Sequence, residues 1–160
     1  MKTFQHKIGN FFKWVKGTEL VELTNIDVNE DPVRPNLDLE WRNSYGRKIY
    51  GLRYEEDIEA IVCVAFTNEI PKTEKELDLM SENAFIKKHS TIAIAYTVWS
   101  RKRGAGREII TKLREWTIQH KFKRLVTLSP LTPMATHFHI KNGAKQVHIN
   151  EETQNFEYKL

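Results

Sequence analysis

Cysteine is almost absent from this chain. Cys63 is the only one among 160 residues, so no internal disulfide can form, which points to a reducing compartment, the cytoplasm. It lies in the apolar run "AIVCVAF" and reads as a small buried hydrophobe rather than a catalytic thiol. Long uncharged apolar runs are missing too, which excludes a membrane-spanning helix. The opening "MKTFQHKIGNFFKWVKG" has neither an uninterrupted apolar core nor a small-residue cleavage site, so no secretory signal is read there. Repeats and low-complexity tails are absent. His137 and His139 stand two apart, a spacing that shares no helix face, so no metal site is read from them.

What is present suits one domain over residues 1–160: 40% of residues are hydrophobic, enough for a sizeable core. The net charge of +4 is unevenly spread. Residues 101–124 hold nine Lys or Arg against two acids, a local +7, and leave −3 for the rest of the chain. A field concentrated on one segment implies a localised anionic partner.

Phe4, Ile8, Phe11, Phe12 and Val15 recur at helical spacing with lysines between them, which predicts an amphipathic helix over residues 1–17 that packs on a sheet. "TELVELT" alternates as a half-buried strand does. Residues 25–45, with Pro32 and Pro35, read as loop with one short helix. "RKIYGLRYEED" and "IEAIVCVAFTNEI" read as two strands joined by a tight acidic turn near Asp57, the second apolar enough to be central. Residues 71–84 are polar and helix-prone, an insertion between strands. "STIAIAYTVW" is the next strand. Ile109, Ile110, Leu113, Trp116 and Thr117 then form the stripe of a core-facing helix. "RLVTLSPL" is a strand, "TPMATHFHIKNGA" a short helix with Thr132 as its N-cap and Asn-Gly as its stop, and "KQVHINEETQNFEYKL" a closing hairpin. The strand–helix–strand unit over 90–128 requires a parallel pair with a right-handed crossover. The fold class is therefore mixed α/β (α+β) in a single sheet.

The junction "AYTVWSRKRGAGREII" carries the chemistry. A strand ends in Arg101, Lys102 and Arg103, passes through Gly104-Ala105-Gly106, and becomes a helix. The Walker pattern fails because Gly106 is followed by Arg107 and Glu108, and the dinucleotide fingerprint fails because its third glycine position is Ile109. The pattern R-x-x-G-x-G remains. Glycines let a pyrophosphate approach the main chain, and the helix start aims unpaired N–H groups at it.

Strand, glycine turn, helix, strand and then "MATHFHIKNGA" together resemble the GNAT superfamily of acyl-CoA-dependent N-acetyltransferases. The resemblance covers residues 45–160 and is clearest over 90–145. Ala135, Phe138, Asn142 and Gly143 match the family's later helix, while Thr132, His139 and Ala144 stand where it often has Asn, Tyr and Phe, and Lys102 replaces the first glycine of its loop. The resemblance implies a mostly antiparallel sheet, splayed at a central parallel pair, with helices on both faces. It implies acetyl-CoA as cofactor, its pyrophosphate held at Arg101, Lys102, Arg103, Gly104, Ala105 and Gly106, with Thr132 nearby. Pantetheine would pair with the main chain of Tyr96, Thr97 and Val98. It implies direct acetyl transfer to an amine, which needs a base, an acid for the thiolate and an oxyanion donor.

His139, in place of the family's Tyr, is the candidate acid, since an imidazolium can protonate a thiolate. His89 is the candidate base, on the same face as Thr91, Ala93, Ala95 and Thr97 if alternation is regular, with Glu69, Glu82 or a water chain as other options. His139 reads equally as a packing residue, and His89 as a surface one. Two other classes stay open: a non-catalytic acyl-CoA binder, and a nucleic-acid-binding domain using the 101–124 patch. The second lacks an interleaved aromatic platform, so no nucleic-acid partner is expected. A homodimer remains open.

Overall fold

The computed structural model describes residues 17–160; the amphipathic helix expected over 1–17 lies outside them except for Gly17. Strands β1 (Glu19–Leu23), β2 (Lys48–Tyr54), β3 (Asp57–Thr67) and β4 (Ile92–Ser100) pair antiparallel in that order. β5 (Arg124–Thr127) adds parallel to β4, and β8 (Thr153–Tyr158) adds antiparallel to β5. β6 (Ser129–Pro130) continues β5 along the same edge of β8, while β7 (Lys145–Ile149) takes its other edge. The helices are α1 (Leu39–Asn43), α2 (Glu74–Ile86), α3 (Ala105–Gln119) and α4 (Pro133–Lys141), with a single 3-10 turn at Val28–Glu30.

Local signals account for most boundaries. Glu55, at φ 56°, makes the tight turn between β2 and β3. Thr73 caps α2 by accepting from Glu76 N, Asp38 caps α1 by accepting from Trp41 N, and Thr132 caps α4 by accepting from Ala135 N. The segment 71–84, expected as an insertion, supplies most of α2, and Leu77, Ser81 and Ala84 are buried there.

Two cores flank the sheet. On one face α3 lays Ile109, Ile110 and Leu113 against Val62, Val64, Ala93, Ala95 and Phe156. On the other, Leu77 of α2 and Trp41 of α1 join Ile61, Cys63, Ile94, Tyr96, Val126 and Leu128. Each strand feeds both layers by alternation.

Register shifts interrupt the β2–β3, β3–β4 and β7–β8 pairings, and the one in β4 bears on the site. Ala95 pairs with Val64 but Thr97 pairs with Cys63, so Tyr96 is an extra residue in β4. The bulge moves Thr97 off the Ala93–Ala95 face and onto the α1–α2 side, where its hydroxyl donates to Asp31 Oδ1 at 2.8 Å. Regular alternation over residues 89–97, assumed from the sequence, therefore does not hold.

Candidate functional site

The site begins where β4 and β5 part. The parallel pairing ends at Ala95 and Thr127, and the last rung is Leu128 N donating to Ala95 O at 3.1 Å. β4 runs on to Ser100 against β3. The β5–β6 edge runs on against β8 in one register, 125 with 158, 126 with 157, 129 with 154 and 130 with 153. Each strand thus follows its outer neighbour, and a V opens between them. From Tyr96 to Ser100 its β4 wall spans roughly 16 Å.

Arg34 stands at the apex of this V. Its Nε donates to Tyr96 O and its Nη2 to Leu128 O, both at 2.9 Å. The guanidinium thus takes the place of the next rung and satisfies a carbonyl on each parting strand. Asp31 fixes the loop that delivers it: Oδ1 accepts from Val33 N at 2.8 Å, Arg34 N at 3.0 Å and the Thr97 hydroxyl, while Oδ2 pairs with Arg42 Nη1 at 2.8 Å. Both side chains of the Asp31–Arg42 pair are fully buried. Arg34 itself is 7% exposed, and its Nη1 lies 3.1 Å from Glu74 Oε1, whose side chain is 38% exposed. Residue patterns in 25–45 gave no hint of this cation. Its signal lies only in an Asp three residues before an Arg between two prolines.

The far end of the V is the glycine turn. Gly104 caps α3 at φ 85°, and a Cβ there would meet nothing within 4 Å. The left-handed backbone, not crowding, requires glycine at this position. Gly106 differs: a Cβ on it would come within 3.1 Å of Phe138 Cε2. Its missing side chain lets α4 close onto the start of α3, so the reading of both glycines as openings for an anion is corrected for Gly106. Ala105 is buried.

The basic residues divide. Arg101 forms a two-pronged pair with Glu30, Nε to Oε1 at 2.5 Å and Nη2 to Oε2 at 2.8 Å. The Arg101 guanidinium holds the Glu30 carboxyl below its ordinary range. Lys102 Nζ lies 3.1 Å from Glu59 Oε2. Arg103 forms no ion pair among the described residues and is exposed. On the β4 wall Tyr96 and Thr97 are buried, Val98 half-buried, and the Tyr96 carbonyl is already engaged by Arg34.

The two histidines lie apart from the V. His139 is 5% exposed, stacked on Phe156 with centroids 5.1 Å apart, and its Nδ1 is 2.7 Å from the Tyr158 hydroxyl. Burial pushes its pKa down to about 4. That burial disfavours the imidazolium that the expected acid role would use. His89 precedes β4, whose first residue is Ile92, and lines a shallow pocket with Phe66, Phe85 and Lys88. It sits beyond the N-terminal end of β4, at the end opposite the glycine turn, so the fold does not bring it to the site. Cys63 is buried beneath the sheet, its thiol pushed up to about 11 by burial. Beside the fork, Thr127 Oγ1 accepts from Phe156 N at 3.1 Å and lies 2.8 Å from Ser129 Oγ, a buried hydroxyl pair that reading "RLVTLSPL" only as a strand did not single out. Thr132 stands at the rim of an open groove of about 720 Å³ along α4, lined also by Leu131, Pro133 and Gln154.

An eight-stranded sheet that opens at one central parallel pair, with a glycine turn where its longer arm ends, has known counterparts. This is the GNAT fold. The chain overlays a Bacillus subtilis acetyltransferase in complex with CoA at a TM-score of 0.62 and 9% identity, over 90% of this chain and 99% of that one. It overlays a GNAT family acetyltransferase from Elizabethkingia anophelis with acetyl-CoA bound at 0.57 and 10% identity, over 89% and 98%. A malonyl-CoA decarboxylase from Agrobacterium vitis overlays at 0.73 and 16% identity, covering 98% of this chain but 64% of its own. The chain thus spans just under two thirds of that enzyme's length. No family model matches the chain, and no curated protein is similar to it in sequence. Among the described residues no cluster of three or more His, Cys, Asp or Glu could hold a metal, and no helix is long and apolar enough to cross a membrane.

Proposed function

We propose that this chain binds acyl-coenzyme A in the V between β4 and β5 and transfers the acyl group, acetyl in the simplest case, directly to an amine. One observation carries the reading: the V opens at Ala95 and Leu128 and ends at a left-handed Gly104 that starts α3. A helix start with unpaired N–H groups suits a pyrophosphate, and an extended wall suits a pantetheine arm. Gly104 and Gly106 would supply main-chain donors, Arg103, which pairs with no acid among the described residues, a cation, and Lys102 and Arg101 a cation each if they leave Glu59 and Glu30. The Ala105 N–H already donates to Lys102 O at 3.1 Å and would join the cradle only by releasing it. Val98 and Thr97 would line the arm, and Tyr96 would stand beside the thioester. Thr132, at the start of α4, would border the same anion.

When bound, the cofactor supplies an activated thioester. The chain's part is to orient it and to place polar hydrogens near its carbonyl oxygen. The Thr127–Ser129 hydroxyls beside the fork would be candidates for that part. The buried, neutral His139 and the distant His89 do not serve as the acid and base. A water leading to Glu74 would be one route for the amine's proton, beside Glu69 and Glu82.

Thermal shift and calorimetry with coenzyme A and acetyl-CoA test the reading. Saturable stabilisation by both is expected, abolished by Gly104→Val. No shift at millimolar cofactor overturns it. Acetyl consumption across an amine panel then separates a transferase from a silent acyl-CoA binder.

A second reading rests on the decarboxylase overlay, which covers 98% of this chain. In it the thioester loses carbon dioxide instead of passing its acyl group on. Release of carbon dioxide from malonyl-CoA without an amine distinguishes the two.

A further inference from the structure

The apex of the V holds a charge that acetyl transfer does not need. A neutral acetyl group asks for main-chain donors, yet the chain brings a buried guanidinium into the plane of the sheet and fastens its loop with the fully buried Asp31–Arg42 pair. Two of Arg34's five N–H groups go to the strand carbonyls and one faces Glu74. Two remain for a ligand. The carboxylate that balances the charge is the more weakly held partner. Glu74 is 38% exposed on its side chain, starts α2, and among the described residues is otherwise held by Asn36 Nδ2 at 3.3 and 3.4 Å.

We propose that Arg34 is a specificity residue that receives a carboxylate carried on the acyl group, and that Glu74 occupies that carboxylate's place until the ligand arrives. The inference rests on the thioester site above. A pantetheine arm entering from the glycine turn and running along β4 ends at Tyr96, where the guanidinium lies. The distal end of a malonyl or succinyl chain then meets the remaining N–H groups of a desolvated cation, a setting that strengthens guanidinium–carboxylate pairing. Neutral acyl groups leave Glu74 in place and gain nothing from it. The other source of a carboxylate is the acceptor, an amino acid for example. The in-plane position of the guanidinium, at the closed end of the V, favours the acyl chain.

The test is calorimetric titration of the whole chain with coenzyme A, acetyl-CoA, malonyl-CoA and succinyl-CoA. At least one dicarboxylic thioester is expected to bind about tenfold or more tightly than acetyl-CoA. Arg34→Gln should bring that ratio to near one. Because this variant also strips two carbonyls of a charged donor, its fold is checked by circular dichroism. Glu74→Gln, at an exposed position, should raise the ratio several-fold by removing the competing carboxylate. Equal affinity of the wild type for acetyl-CoA and both dicarboxylic thioesters overturns the proposal while leaving the cofactor site intact. A ratio that Glu74→Gln lowers overturns it as well. So does acetyl-CoA affinity that rises with added free amino acid and depends on Arg34, since the carboxylate then belongs to the acceptor. Absence of binding by every thioester, coenzyme A included, instead removes the site on which the inference stands.

Discussion

His139 Nδ1 lies 2.7 Å from the Tyr158 hydroxyl, inside a layer of aromatic rings. This contact ties α4 to β8, and it makes stability depend on pH. Burial holds the imidazole near pH 4 in the folded chain against 6.5 when unfolded. The unfolded state therefore binds the proton first. Stability is full above pH 6.5, falls as pH drops from 6.5 towards 4, and levels off below, with a loss on the order of 3 kcal/mol. Denaturant midpoints taken across that range should show the slope, and His139→Phe should flatten it while costing stability at pH 7 through the orphaned Tyr158 hydroxyl. An unchanged slope in the variant would assign the pH dependence to other groups.

The two glycines of the turn should answer differently to alanine. Gly104→Ala places a left-handed φ on a residue that resists it, at about 1–2 kcal/mol, with nothing for the new methyl to strike. Gly106→Ala pushes its methyl against Phe138, at about 1 kcal/mol or more. Phe138→Leu should recover most of the second cost and none of the first. A double-mutant cycle by urea unfolding measures both. Equal rescue at both positions would mean that the crowding is not confined to Gly106.

Of the three basic residues before the turn, Arg103 should matter most for a phosphate-bearing ligand. Arg101 and Lys102 already face Glu30 and Glu59, so an anion must compete for them. Arg103→Ala should weaken coenzyme A by about tenfold at low salt, with a smaller loss for Arg101→Ala, and both losses should shrink as salt rises. Titrations of Arg101→Ala, Lys102→Ala and Arg103→Ala at two ionic strengths decide the ranking. Arg101→Ala exceeding Arg103→Ala would show that the Glu30 pair opens readily.

Much of this fold is written in local signals. The apolar run of β3, the stripe of α3, the Thr132 cap and the parallel pair forced by strand–helix–strand order are short-range or topological, and each stands where the residues place it. The site is less legible because its decisive features are long-range. The bulge at Tyr96 depends on how β3 and β4 settle their register, and it reverses the facing of Thr97. Arg34 reaches residues 62 and 94 positions away, a distance no spacing rule covers. His139 falls at the position of a family tyrosine, yet its burial against Phe156 follows from α4 closing onto β8.

The last prediction concerns the pair that holds this long-range arrangement together. The side chains of Asp31 and Arg42 are both fully buried, and Asp31 also accepts from Thr97 and two backbone N–H groups. Removing one partner leaves a buried charge uncompensated, so Asp31→Ala should cost about 3–5 kcal/mol. Arg42→Met, which deletes the cation and leaves the carboxylate with three donors, should cost less than Asp31→Ala. Thr97→Val removes a single hydroxyl donor and should cost about 1 kcal/mol. Denaturant unfolding of the three variants orders these losses. Arg34 should lose its grip on the fork in Asp31→Ala before the fold is lost, because the turn that delivers it is closed by that carboxylate. Hydrogen exchange at the Leu128 amide, the last rung between β4 and β5, reports this directly: faster exchange in Asp31→Ala than in Arg42→Met is expected, and equal protection in both would mean that the rung does not depend on the Asp31 turn.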